Sequence, residues 1–388
     1  VKNVMRRVYL DHNASTPVHP DVLAAMMPYF SERFGNASSI HGFGREAREG
    51  IDIARESIAR FLGVTPDEIV FTSGGTESDN LAVKGVAGAR PGGHIITTVV
   101  EHHALLRTCQ ALEKMGHAVT YLPVDGDGLV DPDDVRHALR PDTILISIQT
   151  ANSETGTLMP IADIGRIAQE RGIPFHCDGV QTFGKLPISP RETGITLMSM
   201  SAHKIYGPKG IGALYIGKGT RMVSVQHGGD HERRRRAGTE HVPGIVGFGK
   251  AVELRTRYMA EEAVRVTGLR DRLWEGVRRT VADVRLNGHP TRRLPGTLNM
   301  SFRGIEAESI ILGLDLKGIG TSAGSACTSG SLEPSYVITA MGIPVDWALG
   351  AVRTSLGAST TVEDIDYVLE VLPPLAQKIR AMSPAGAA

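Results

Sequence analysis

Ser201-Ala-His-Lys-Ile-Tyr-Gly-Pro-Lys-Gly210 follows an apolar run, residues 195–200, that reads as a buried strand, and it sets Lys204 just past that strand's end. Upstream, Ile173-Pro-Phe-His-Cys-Asp178 is a second strand-like run ending on an aspartate, 26 positions before Lys204. This pairing is what pyridoxal phosphate chemistry requires. A lysine amine condenses with the cofactor aldehyde, and a carboxylate keeps the pyridine nitrogen protonated so that the ring accepts electrons.

Around these two residues the chain alternates. Strand-like runs stand at 68–72, 94–100, 119–123, 143–149, 174–178, 195–199 and 212–216, with helix candidates between several of them, such as 77–86 and 161–171. Ile51, Ala54, Ile58 and Phe61 recur at helical spacing and mark a helix that ends near Gly63. Strands alternating with helices predict a mostly parallel sheet covered on both faces. A charged helix is expected from 251 to about 281, then Pro- and Gly-marked strands and a last helix at 362–381. The expected organisation is a large α/β domain over 15–258 and a smaller α+β domain made of 1–14 and 259–388.

Bulk properties narrow the function classes. The chain has 388 residues, enough for two cores, and its Lys+Arg and Asp+Glu totals are both 42. That balance points to neither nucleic acid nor an acidic membrane surface. Three scattered cysteines, Cys109, Cys177 and Cys327, fit neither a disulfide framework nor a metal site, and a reducing cytoplasm is expected. No apolar run approaches the roughly 18 residues of a membrane span. Position 1 is Val, and the first methionine is Met5.

Five further segments carry chemistry. Phe71-Thr-Ser-Gly-Gly-Thr-Glu-Ser-Asp-Asn80 joins a strand to a helix, where backbone N–H groups and the positive end of the helix dipole suit a phosphate; Ser201 and His203 are placed to donate to the same group. Val100-Glu-His-His103 ends a strand with an imidazole able to stack on a flat cofactor and move protons near neutral pH. His227-Gly-Gly-Asp-His-Glu-Arg-Arg-Arg-Arg236-Ala-Gly-Thr239 has glycine-rich flanks that suggest a loop reaching a partner subunit. Ser322-Ala-Gly-Ser-Ala-Cys327-Thr-Ser-Gly-Ser-Leu-Glu-Pro334 sets one cysteine among small residues, which predicts an exposed, mobile and reactive thiol. Arg353, in Ala351-Val-Arg-Thr-Ser-Leu-Gly357, could fork a substrate carboxylate.

In this order the segments resemble the class V, fold-type I pyridoxal phosphate enzymes and, within them, the NifS/IscS cysteine desulfurases. The likeness runs from Tyr9-Leu-Asp-His-Asn-Ala-Ser-Thr-Pro17 to about Pro384. It implies pyridoxal 5′-phosphate on Lys204, Asp178 at the ring nitrogen, Gln181 at the ring hydroxyl, and His102 stacked on the ring as proton shuttle. Gly75, Thr76, Ser201 and His203 would hold the phosphate, joined by Thr239 of a neighbouring subunit in a homodimer. Arg353 would bind the carboxylate of L-cysteine, with Asn152 beside the substrate, and Cys327 would take its sulfur. The family usually carries two asparagines before the glutamate at 154; here Asn152 is followed by Ser153, whose shorter side chain is expected to make a weaker or water-mediated contact to the ring hydroxyl. The serine-rich cysteine segment resembles the long-loop group, and the end soon after Pro384 resembles NifS-like rather than IscS-type members. The implied reaction converts L-cysteine to L-alanine with a persulfide on Cys327, and the implied recipient is a sulfur-acceptor protein such as an iron–sulfur scaffold. A selenocysteine lyase or aminotransferase of the same class, or a non-enzymatic sulfur-relay module, are the alternatives.

Overall fold

The computed structural model describes residues 6–323 and 333–382. Strand β1 (Val8–Tyr9) opens it. Seven strands then build one sheet: β2 (Ile69–Thr72), β3 (His94–Thr98), β4 (Ala118–Leu122), β5 (Thr143–Ser147), β6 (Phe175–Asp178), β7 (Leu197–Ser201) and β8 (Gly212–Ile216). Their spatial order is β2-β8-β7-β6-β5-β3-β4. From β7 to β4 all neighbours are parallel, while β8 runs antiparallel to both β7 and β2. The sheet is therefore mostly parallel, as the alternating pattern predicts, and each of the seven apolar runs is one of its strands.

A second sheet orders β12-β10-β9, from β9 (Val284–Asn287), β10 (Thr297–Phe302) and β12 (Ala351–Ser355), and β11 (Ile319–Gly320) pairs in parallel with β1. These strands and the Val362–Met382 helix enclose a separate core, with Val8, Leu10, Leu298, Met300, Phe302 and Ile365 buried in it.

The boundary expected at 258/259 falls inside a single helix, Val242–Thr280. That helix begins nine residues before the expected start at 251. Pro243, Gly244, Gly247 and Gly249 read as breakers, yet proline is tolerated in a first turn and the glycines permit close packing. A Cβ on Gly249 would lie 2.6 Å from Ala54 Cα, and one on Gly247 2.6 Å from Met26 Sδ. Ile245, Phe248 and Val252 enter the large core, whereas Val266, Leu269, Leu273 and Val277 enter the small one. Val337, Ile338 and Met341, expected in the smaller domain, pack into the large core.

Candidate active site

The parallel strands deliver their C-terminal ends to one edge, where crossover turns expose polar groups. β6 ends on Asp178, β7 on Ser201, and a short 3-10 turn, Ala202–Lys204, carries His203 and Lys204. β2 ends on Thr72 and leads into the Gly75–Ala89 helix, whose first N–H groups have no intrahelical acceptor. Gly75 is required there: a Cβ would stand 2.7 Å from Val180 Cγ2. After β3, His102 caps the His103–Glu113 helix by accepting from Ala104 N at 3.1 Å through Nδ1.

These residues enclose a cavity of ≈ 300 Å³ lined by Gly75, Thr76, His102, Ser153, Asp178, Gln181, Ser201, His203, Lys204 and Arg353. Two expected residues are not brought to it. Asn152 is buried below the turn, where Nδ2 donates to Val100 O at 3.0 Å and Oδ1 accepts from Glu154 N and Thr155 N, both at 2.9 Å. Its amide is engaged within the fold, and Asn152 does not line the cavity. Thr239 lies exposed outside the cavity of its own chain. Cys327 falls outside the described residues.

The charges at the site are strongly perturbed. Burial is the main cause drawing the Lys204 ammonium down to about 8, with Arg353 adding to it, while Asp178 and Asp11 oppose. Lys204 Nζ donates to Asn13 O at 2.5 Å and Ala14 O at 2.9 Å. Asp178 is raised by burial, against the pull of His102, the Val180 N–H bond of 2.9 Å and Lys204. The His102 ring faces the cavity, yet the protein around it disfavours the imidazolium; Lys204 adds to this lowering and Asp178 resists it. His203 is drawn down to about 4, first by burial and then by Lys204, and its Nδ1 sits 3.3 Å from Ser15 Oγ. A neutral imidazole whose Nδ1 accepts from Ser15 carries its proton on Nε2.

Several residues at the site were not anticipated. Asp79 and Glu101 lie buried near Asp178, and burial raises both, Glu101 to about 8. Asn13 is a hub: its carbonyl accepts from Lys204 and Gln181, its Oδ1 from Lys185, and its Nδ2 donates to Thr297 Oγ1 and Ser153 O. Ser153 meets Arg353 through its carbonyl as well, at 3.1 Å. Tyr336 stacks on His103 with ring centroids 4.7 Å apart and donates to Glu101 O. Ser335 Oγ donates to Glu154 Oε2 at 2.5 Å. The acidic residues of the 72–80 turn were the one sequence signal for Asp79; nothing local marks Asn13, which arrives from the other end of the chain.

The arginine run is tied to the large domain at several points. Glu232, Arg233 and Arg234 have left-handed backbones, with φ of 46°, 55° and 64°. Glu232 is buried, accepting from Arg55 Nη2 at 2.7 Å, Arg55 Nη1 at 2.8 Å and Phe71 N at 2.9 Å, while Arg236 pairs with Glu77 at 2.7 Å.

Residues 8–368 match the class-V aminotransferase family. The chain belongs to that family. Among its class-V relatives, the cysteine desulfurase IscS of Dictyoglomus turgidum is 54% identical over 98% of this chain and 97% of its own length. The IscS of Methanosarcina thermophila is 53% identical over 98% and 94%. A solved NifS-like protein superposes with a TM-score of 0.90 at 38% identity, covering 96% of this chain and 99% of that one. A structure of SspA in complex with cysteine matches with a TM-score of 0.82 at 39% identity, covering 91% and 100%. Both halves of the expected likeness, NifS and IscS, are therefore present among the relatives.

The class-V cofactor is pyridoxal phosphate, and the donor set fits it: an amine of lowered basicity, a buried carboxylate on the cavity floor, an imidazole at the wall, and a glycine turn whose N–H groups open a helix.

Proposed function

We propose that this chain is a pyridoxal-phosphate-dependent cysteine desulfurase that converts L-cysteine to L-alanine and carries the sulfur as a persulfide on Cys327. The observation that carries the reading is the convergence of Lys204, Asp178, His102 and Arg353 on one cavity. Bound pyridoxal phosphate supplies an aldehyde for the Lys204 amine and an electron-accepting ring. Gly75, Thr76, Ser201 and His203 hold the phosphate through N–H and O–H donors. Asp178, as carboxylate, faces the ring nitrogen. Arg353 receives the substrate carboxylate. Lys204 Nζ, with its pKa near 8, takes the substrate Cα proton, and His102 moves protons at the substrate sulfur. The Cys327 thiolate then attacks that sulfur. The substrate Cβ–Sγ bond breaks, its electron pair stays with carbon, and protonation gives alanine while Cys327 keeps the added sulfur.

The assembly is a homodimer in this reading, with Thr239 reaching the partner's phosphate site. Exposed apolar side chains support it: Phe34 and Ile40 are 64% and 92% exposed, and Leu23, Met27, Phe30 and Phe43 are exposed as well. The sulfur passes to an acceptor protein such as an iron–sulfur scaffold. Among the described residues no helix is long and apolar enough to cross a membrane, and the two described cysteines, Cys109 and Cys177, are buried and unpaired, in keeping with a reducing cytoplasm.

The test is to supply L-cysteine with no 2-oxo acid and measure alanine and persulfide. Alanine in step with persulfide on Cys327 is expected. A requirement for a 2-oxo acid would make the protein an aminotransferase, and turnover of selenocysteine alone would make it a lyase. Borohydride should trap the cofactor on Lys204, and the Lys204→Ala variant should lose both the adduct and turnover.

A further inference from the structure

We propose that Lys185 is a positioning residue of this site, fixing which end of the Gln181 amide faces the cofactor ring. The proposal rests on the pyridoxal phosphate reading of the cavity. Lys185 Nζ donates to Gln181 Oε1 at 2.9 Å and to Asn13 Oδ1 at 3.3 Å. An ammonium has donors and no acceptor, so the oxygen of Gln181 must turn toward it. The amide nitrogen is then left on the other side, where one N–H meets Asn13 O at 3.1 Å and the second remains to be directed at the ring hydroxyl. A donor there stabilises the ionised ring oxygen; with the amide reversed, an acceptor would oppose it.

The surroundings of Lys185 bear on its protonation. Both hydrogen bonds go to neutral amide oxygens. Lys204, Arg255 and Arg353 repel it, and the nearby carboxylate, Glu262, is engaged by Arg255 and by Tyr206 Oη. His12, lowered mainly by burial and also by Lys185, lines with it a small cavity of ≈ 30 Å³ that Lys204 shares. Burial and these cations draw Lys185 down to about 7. Lys204 is drawn down only to about 8, so Lys185 carries little of its charge where Lys204 titrates.

Two variants separate this role from simple packing. Lys185→Met keeps the length of the side chain and removes donor and charge; Lys185→Arg keeps donors and holds its charge at every relevant pH. In the cofactor-free full chain, the pH midpoint for acylation of Lys204, read by peptide mass spectrometry, should fall in Lys185→Arg, which keeps a charge there, and stay near the parent's in Lys185→Met, because Lys185 has lost most of its proton where Lys204 titrates. In the cofactor-loaded protein the pH midpoint of the cofactor's absorption change should rise in Lys185→Met and stay at or below the parent's in Lys185→Arg. An absorption midpoint unmoved in Lys185→Met, or an acylation midpoint unmoved in Lys185→Arg, would overturn the proposal. Failure of pyridoxal phosphate to bind the parent chain would instead overturn the functional reading, while the acylation measurement would still decide the charge of Lys185.

Discussion

Arg353 Nη2 donates to Asp11 Oδ1 at 2.8 Å, so the guanidinium proposed to receive the substrate carboxylate is held by a carboxylate from the opposite end of the chain. Its Nη1 donates to Ser153 O, and its own backbone exchanges two hydrogen bonds with Ser322, of 2.7 and 3.1 Å. The planar group is aimed by the protein before any substrate arrives.

Replacing Arg353 with Lys should therefore raise KM for cysteine more than it lowers kcat. A point charge cannot reproduce the two-pronged geometry, and the loss is on the order of 10–100-fold, the worth of a hydrogen bond to a charged group. Steady-state kinetics check this; a fall in kcat at unchanged KM would assign Arg353 elsewhere.

The Cys327→Ala variant should bind pyridoxal phosphate as the parent does and make almost no alanine from cysteine. Absorbance and amino-acid analysis read the two properties separately. Alanine at the parent rate would mean that no thiol of this chain takes the sulfur.

Arg55 and Glu232 have side chains only 5% and 3% exposed, and they bond through both guanidinium ends. Truncating Arg55 to Ala leaves a buried carboxylate with only Phe71 N as donor and should cost about 3–5 kcal/mol. Chemical denaturation would measure it. A loss under about 1 kcal/mol would mean that the 232–234 turn relaxes and lets water reach Glu232.

Glu101 accepts from Thr98 Oγ1 at 2.7 Å and from Gln149 N at 3.0 and 3.1 Å, yet burial lifts its pKa to about 8. Between its ordinary value of 4.5 and about 8, the folded chain keeps a proton that the unfolded chain releases. Its contribution to stability is complete below about pH 4.5 and is lost as the pH climbs through about 8. The Glu101→Gln variant should show a flatter stability profile across that interval, measured as denaturation midpoints against pH. An identical slope would place the proton on another group.

The strands of the large sheet were legible because a strand buried on both faces writes a continuous apolar run. The direction of β8 was not, since nothing in Gly212–Ile216 distinguishes antiparallel from parallel pairing. The residues of the cavity that sit in motif-like turns, Lys204, Asp178, His102 and the glycine turn, were readable from type and spacing. Asn13 was not readable. Much of its contribution is a main-chain carbonyl brought beside Lys204, a residue 191 positions away. Asn152 is the opposite case: its amide looks like a ligand group, and its bonds go to Val100 O and to the N–H groups of Glu154 and Thr155.

The Val242–Thr280 helix has 39 residues and a length of about 58 Å. One rod contributes side chains to both cores, so neither can melt without stripping the other of part of its wall. Heat or denaturant should meet a single cooperative unit rather than two that come apart in turn. The same rod limits how the lobes rearrange: they cannot swivel independently about a loop, and moving one against the other means flexing a helix along its length.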